Sequence, residues 1–175
     1  MMTILSTPLA WLRYLVDNHL RGLARFPAQM HLNNDDWQRL LQRVGRETPA
    51  RPAPLAQQDA LLSMLLRSRQ PECEQLADWL LQYMDEDAAP MHWLIASASM
   101  SFNHLWQDLG LASRDELREL MTVCFAPLVE MNAQNMRWKK FFYRQLCLSV
   151  DGELTCRSPS CESCSEVAVC FAPEV

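Results

Sequence analysis

The amino-acid sequence predicts an all-α protein, a single helical domain with a C-terminal cysteine-rich metal-binding loop. Only four glycines occur in 175 residues, and apolar residues recur at three- and four-residue intervals, the spacing of one helix face. A third observation concerns the end of the chain, where four of the seven cysteines lie in the last twenty residues. We therefore divide the chain into a helical domain over residues 1–148 and a cysteine-rich, cluster-binding tail over residues 149–175.

The overall composition limits the classes of function. With 49% hydrophobic residues the chain can fill one sizeable core, and its net charge of -5 lacks the basic excess of a nucleic-acid binder. The N-terminus has neither the pattern of a signal peptide nor that of a membrane span. We expect a cytoplasmic protein, without nucleic acid or membrane as partner, whose cysteines are free or metal-bound rather than paired.

The N-terminal quarter contains two predicted helices. Thr7 and Pro8 have the pattern of a helix cap and a first-turn proline. The helix that they begin should end near residues 26–27. A second helix is predicted from Asn34 to Val44, with Gly45 as its stop. The inward residues are predicted to be Leu12, Leu15, Val16, Leu20 and Leu23 in the first helix and Trp37, Leu40, Leu41 and Val44 in the second.

The middle of the chain begins with three prolines in residues 46–54, a pattern typical of a linker. Helix is predicted to resume after it, to pause around Pro71, and to end before the acidic turn of residues 85–87. The apolar residues on which this prediction rests are Leu61, Leu62, Leu65, Leu66, Leu76, Trp79, Leu80 and Tyr83.

Three further helices are predicted before the tail. A long apolar helix should run from Pro90 to Trp106, and a capping box at Ser113 and Glu116 should open the next helix. Its buried face is predicted to be Leu117, Leu120 and Met121. The last helix should span residues 129–148, after which Asp151 and Gly152 form a turn.

The cysteine run has the spacing C-x4-C-x2-C-x5-C, formed by Cys156, Cys161, Cys164 and Cys170. Thiols so close together in a polar stretch can converge on one metal or cluster. Iron-sulfur chemistry fits a single compact run at least as well as zinc, which commonly takes two separated C-x2-C pairs or a mixture with histidine. Zinc, and unligated or disulfide-bonded cysteines, remain open alternatives.

A basic stripe precedes the cysteines. Arg137, Lys140 and Arg144 are spaced i, i+3 and i+7 and therefore fall on one side of the last predicted helix. The structural interpretation is that these residues form the solvated edge of an amphipathic helix. The functional interpretation is that they offset the charge of the thiolates or bind an oxyanion such as molybdate, because guanidinium groups suit anionic oxygens.

The other reactive side chains are better explained structurally. We interpret Cys73, Cys124 and Cys147 as buried residues, although Cys147 could be a spare ligand. His92 and His104 would lie about 120° apart around one helix, too far for an easy shared ligand pair. Residues 85–87 are more typical of a solvated turn than of a cation site. We find no phosphate loop, nucleotide fingerprint or acid-base constellation, and expect no enzyme.

Segment 136–147, MRWKKFFYRQLC, followed by the cysteine run closely resembles the NifQ family of nitrogen fixation. Segments 105–111, LWQDLGL, and 125–128, FAPL, are similar too. The resemblance covers residues 105–175 strongly and the N-terminal half weakly.

The resemblance implies an iron-sulfur protein that carries molybdenum and donates it for assembly of the nitrogenase iron-molybdenum cofactor. The four cysteines of the run are then the expected metal ligands. The implied partners are the NifEN scaffold, the nitrogenase iron protein, and molybdate or another molybdenum donor. The alternative that the residues leave open is a zinc-stabilised helical interaction module.

Overall fold

The computed structural model describes residues 5–48, 50–150 and 167–172. All regular structure in these ranges is helical, which confirms the predicted fold class. The helices are α1 (Pro8–Leu20), α2 (Asn34–Val44), α3 (Ala53–Leu66), α4 (Gln70–Leu81), α5 (Met91–Ser99), α6 (Leu105–Asp108), α7 (Arg114–Cys124), α8 (Ala126–Met131), α9 (Trp138–Val150) and α10 (Val167–Phe171).

Helices α1 and α2 begin where the sequence predicts. The Thr7 hydroxyl accepts a hydrogen bond from the backbone N–H of Ala10 at 3.2 Å, and Asn33 caps α2 by accepting from Asp36 at 2.8 Å. Gly45 ends α2 in the left-handed conformation, φ 70°. Such side-chain acceptors satisfy amide groups that have no partner inside the helix.

One predicted inward residue and two apolar residues used to predict the next helix face solvent. Helix α1 ends at Leu20, and the turn at Gly22, φ 76°, leaves Leu23 exposed. On α3 the buried residues include Leu62 and Leu66, whereas Leu61 and Leu65 are exposed. The interpretation of residues 46–54 as a linker was wrong at its end, because α3 already begins at Ala53.

The long helix predicted over residues 90–106 is two helices in the structure. Helix α5 ends at Ser99, and α6 begins at Leu105. Between them, Arg69 donates to the carbonyl of Met100 at 2.6 Å, and the Lys139 ammonium donates to those of Ser101 and Asn103. These long-range donors satisfy carbonyls that a continuous helix would have used itself.

The last predicted helix is interrupted as well. Helix α8 ends at Met131, and the Asn132 side chain then closes a turn by donating to the carbonyl of Met136 and accepting from its N–H, both at 2.8 Å. Helix α9 begins only at Trp138. Arg137 therefore precedes the helix rather than lying within it, although its carbonyl accepts from the N–H of Phe141 at 2.9 Å.

One core joins these helices. Helix α4 packs against α5 and α9, and α1 packs against α2 and α7. The apolar face of α9 points inward, since Trp138, Phe141, Phe142 and Leu146 are all buried. The largest fully buried side chains also include Trp11, Phe26 and Phe125. No helix in the described ranges is both long and apolar enough to cross a membrane.

Candidate metal centre at the end of the chain

Cys170 is the member of the cysteine run that the structure describes. It lies on α10, is only 7% exposed and forms no disulfide. Its neighbour Phe171 packs against the main core. The other predicted ligands, Cys156, Cys161 and Cys164, lie outside the described residues. The end of the cysteine run is therefore docked on the helical domain.

Arg137 connects α10 to the beginning of α9. Its backbone N–H donates to the carbonyl of Cys170 at 3.0 Å, and its Nε donates to the carbonyl of Ala172 at 3.3 Å. Two donors of one residue thus hold two carbonyls, one in the last turn of α10 and one just after it. The structure brings the first member of the basic stripe beside the last cysteine of the run.

The other two stripe residues lie further along α9. Lys140 is exposed and Arg144 is half-buried. One stripe cation therefore lies just ahead of α9 and is directed at the C-terminal segment, and another lies in the first turn and is exposed to solvent. Arg144 lies about one turn further on. The stripe was predicted to lie within one helix, whereas Arg137 lies just ahead of α9, which begins at Trp138.

Sequence reasoning missed Lys139. Its ammonium binds Asp108 Oδ2 at 2.6 Å, and the Asp108 side chain is completely buried. The same ammonium donates to the carbonyls of Ser101 and Asn103. A lysine between Trp138 and Lys140 in an amphipathic pattern gives no signal for such a pairing, because the acid lies 31 residues earlier in the chain.

Two other cysteines are confirmed as buried residues of the helical domain. Burial raises the pKa of Cys73 and that of Cys124 to about 12, with neighbouring carboxylates adding to the effect. A thiol with so high a pKa stays protonated at neutral pH, whereas metal ligation requires the thiolate. Cys147 is half-buried on α9.

The histidines and the acidic turn gather no metal-binding group. His92 lines an open groove of about 570 Å³ together with His31 and Trp93. Burial lowers the pKa of both imidazoles. The carboxylate of Asp85 accepts from the N–H of Asp87 at 2.9 Å, as expected of a capped acidic turn. Within residues 5–48, 50–150 and 167–172, no three His, Cys, Asp or Glu side chains are arranged to hold a metal ion.

Comparison with known proteins decides the family. The model of the NifQ family matches residues 11–172. The chain belongs to the NifQ family. The NifQ protein of Klebsiella pneumoniae is 52% identical over 165 residues, which cover 94% of this chain and 98% of that protein.

Two further relatives support the same assignment. The NifQ protein of Azotobacter vinelandii is 38% identical over 94% of this chain and 88% of its own length. That of Rhodobacter capsulatus is 38% identical over 87% of this chain and 81% of its own length. No solved structure gives a significant match. The resemblance noted in residues 105–175 thus extends through nearly the whole chain, and nitrogen fixation is the process in which the NifQ family takes part.

Proposed function

We propose that this chain is an iron-sulfur molybdenum carrier that donates molybdenum for assembly of the nitrogenase iron-molybdenum cofactor. The observation that carries the proposal is the four-cysteine run in a NifQ-family chain, with its last member held beside a cationic helix start. The role is delivery rather than turnover.

The donor set fits an iron-sulfur cluster. Four cysteines are the usual complement of a cluster, and thiolates suit both iron and cluster-bound molybdenum. The described member, Cys170, is a thiol outside any disulfide and is positioned by the fold. Cys156, Cys161, Cys164 and Cys170 would hold the cluster, which supplies sulfur and iron to which molybdenum can bind.

The basic stripe supports the second part of the proposal. Molybdenum outside a cluster is commonly the oxyanion molybdate, and arginine and lysine donate charge-assisted hydrogen bonds to anionic oxygens. Lys140 is exposed and Arg144 is half-buried on α9, whose start is linked to Cys170 through Arg137. We propose that Arg137, Lys140 and Arg144 favour incoming molybdate or stabilise the negative charge of the loaded thiolate site.

The proposed acceptors are the NifEN scaffold and the nitrogenase iron protein, with molybdate or another molybdenum donor upstream. Family membership supports these partners, since nitrogenase assembly is the process that consumes the cargo.

Substitution of the cysteines tests the proposal. Protein purified without oxygen should lose iron, sulfide and molybdenum in Cys161→Ala and in Cys164→Ala. The matched control is Cys73→Ala, which removes a buried thiol of the helical domain and should leave the metal content unchanged. A colourless parent protein that binds one zinc ion and no sulfide would instead establish the zinc-stabilised interaction module.

A further inference from the structure

We infer that Arg137 is a positioning residue that presets Cys170, the last thiol of the run, before any metal binds. The inference rests on the proposed function in one respect, namely that the thiols of the run share one metal centre. It changes the role expected of Arg137 from direct contact with an anion to control of the position of one metal ligand, Cys170.

The position of Arg137 is itself fixed from both sides. On its N-terminal side, the Asn132 amide closes the turn with two hydrogen bonds to Met136, and Arg114 donates to the carbonyl of Asn135 at 2.7 Å. On its C-terminal side, the indole of Trp138 is fully buried in the core. The Arg137 backbone N–H therefore has little freedom to follow a moving partner.

From this fixed position, Arg137 binds the end of α10 at two points. The backbone N–H meets the carbonyl of Cys170 at 3.0 Å, and Nε meets the carbonyl of Ala172 at 3.3 Å. The last carbonyls of a helix have no partner inside the helix, so outside donors of this kind satisfy them. These two bonds, to carbonyls two residues apart, hold the end of α10 against the start of α9.

Packing completes the placement of the ligand. The Cys170 side chain is 7% exposed and belongs to the main core, and Phe171 packs against the same core. A helix of five residues has little stability of its own. Its position therefore depends on these contacts, of which the side-chain bond from Arg137 is one that a substitution can remove.

A preset ligand changes how the metal site is built. Ordering a free residue costs conformational entropy, and metal binding has to supply that free energy when no site exists beforehand. With Cys170 already held, this part of the cost is met by the fold rather than by the metal.

The guanidinium suits this role better than an ammonium. Its Nε–H has a fixed direction in a planar group, whereas the three donors of lysine rotate at the end of a flexible stem. An Arg137→Lys variant keeps the charge and loses the directed bond to Ala172. The neighbouring Lys140 is exposed and provides a matched control for removal of one positive charge from the same helical turn.

The test measures the reactivity of each thiol in the full-length, metal-free protein. A short pulse of iodoacetamide followed by mass spectrometry gives a separate labelling rate for each cysteine. We expect Arg137→Gln and Arg137→Lys to raise the rate at Cys170 about three- to tenfold, as loss of one hydrogen bond implies. Lys140→Gln should leave that rate at the parent value, and Cys73 and Cys124 should stay unlabelled in every variant.

A second readout separates positioning from simple stability. Zn²⁺ loaded onto the thiols, used as a redox-inert probe, should be removed by a chelator several-fold faster from Arg137→Gln than from the parent or from Arg39→Gln, which removes an exposed cation of α2. The inference would be overturned by a Cys170 labelling rate that is unchanged in Arg137→Gln, or that rises equally in Arg137→Gln and Lys140→Gln. It would also be overturned by simultaneous labelling of Cys73 and Cys124, or by unchanged Zn²⁺ release. Because the labelling uses metal-free protein, it tests the role of Arg137 even if the protein proves to hold no iron-sulfur cluster.

Discussion

Lys139 and Asp108 form an ion pair of 2.6 Å whose carboxylate is completely buried. The pair joins the first turn of α9 to the end of α6. Asn103 adds two hydrogen bonds to the same carboxylate, at 3.1 and 3.3 Å. The charge is thus surrounded by donors, as a buried carboxylate requires. Since Arg137 and Lys140 lie within two residues of Lys139, this pair also fixes the helix start that carries the basic stripe.

Removal of one partner of this pair should strongly destabilise the protein. We predict that Asp108→Ala lowers the free energy of unfolding by about 3–5 kcal/mol, because the ammonium of Lys139 is then left without its counter-ion in a largely dry position. Urea unfolding followed by circular dichroism measures the change. Arg39→Ala is the control, since it breaks the exposed pair with Asp36 and should cost less than about 1 kcal/mol. Equal losses in the two variants would contradict the interpretation.

His19 should make stability depend on pH. Burial, and then the guanidinium of Arg51, lower the pKa of His19 to about 4, against the opposing effect of Asp59. In the unfolded chain the pKa of His19 returns to about 6.5. Between the two pKa values, the unfolded state therefore binds a proton at His19 that the folded state does not bind. This contribution to stability is complete above pH 6.5 and is lost progressively between about pH 6.5 and pH 4.

Replacement of His19 by a side chain that does not titrate tests that prediction. The expected loss for the parent over this range is about 3 kcal/mol from His19 alone. His31 and His92 shift in the same direction, so their contributions remain in the variant. His19→Gln should therefore show a shallower fall of unfolding free energy with decreasing pH, whatever its stability at pH 7. Parallel pH curves for parent and variant would show that the imidazole is not responsible.

The two stripe residues that lie within α9, Lys140 and Arg144, should affect molybdenum content more than iron content. We predict that the double variant Lys140→Ala with Arg144→Ala keeps its iron content and loses most of its molybdenum, because cations attract the oxyanion whereas thiolates hold the iron. The measurement is the ratio of molybdenum to iron in protein loaded without oxygen. Gln145→Ala, on the same helix, is a charge-neutral control. A ratio equal to that of the parent would reduce the stripe to a solvated helix edge.

The local rules of helix capping predicted much of the fold. Helix α2 has the predicted bounds of Asn34 and Val44, and Ser113 accepts from the N–H of Glu116 at 3.2 Å as the capping pattern requires. Such features depend on residues three or four positions apart. They can therefore be found in a single sequence without knowledge of the tertiary structure.

The errors occur where side-chain hydrogen bonds interrupt a helix. Lys139 donates hydrogen bonds to the carbonyls of Ser101 and Asn103, which lie 38 and 36 residues earlier in the sequence. These carbonyls belong to the segment that separates α5 from α6. The turn closed by Asn132 separates α8 from α9 in a similar way, although its bonds are local. An asparagine in an apolar periodic segment is compatible with either outcome, so periodicity alone could not place that break.

The sequence predicted the chemistry of the candidate site, and the structure gives part of its geometry. The metal centre predicted from the cysteine spacing and the anion-binding role of the basic stripe stay predictions. The contact between Arg137 and the segment of Cys170 was not predictable, because it uses backbone carbonyls, which carry no sequence signal. A side chain that appears suited to an anion can thus act on the backbone of a neighbouring helix.

The most direct test of the central claim is analysis of iron, acid-labile sulfide, molybdenum and zinc in the full-length protein purified without oxygen, together with its visible spectrum. The iron-sulfur carrier proposed for this chain predicts a brown protein that contains iron, sulfide and molybdenum together. A colourless protein with stoichiometric zinc and no sulfide would contradict that proposal and would assign the cysteine run a structural role.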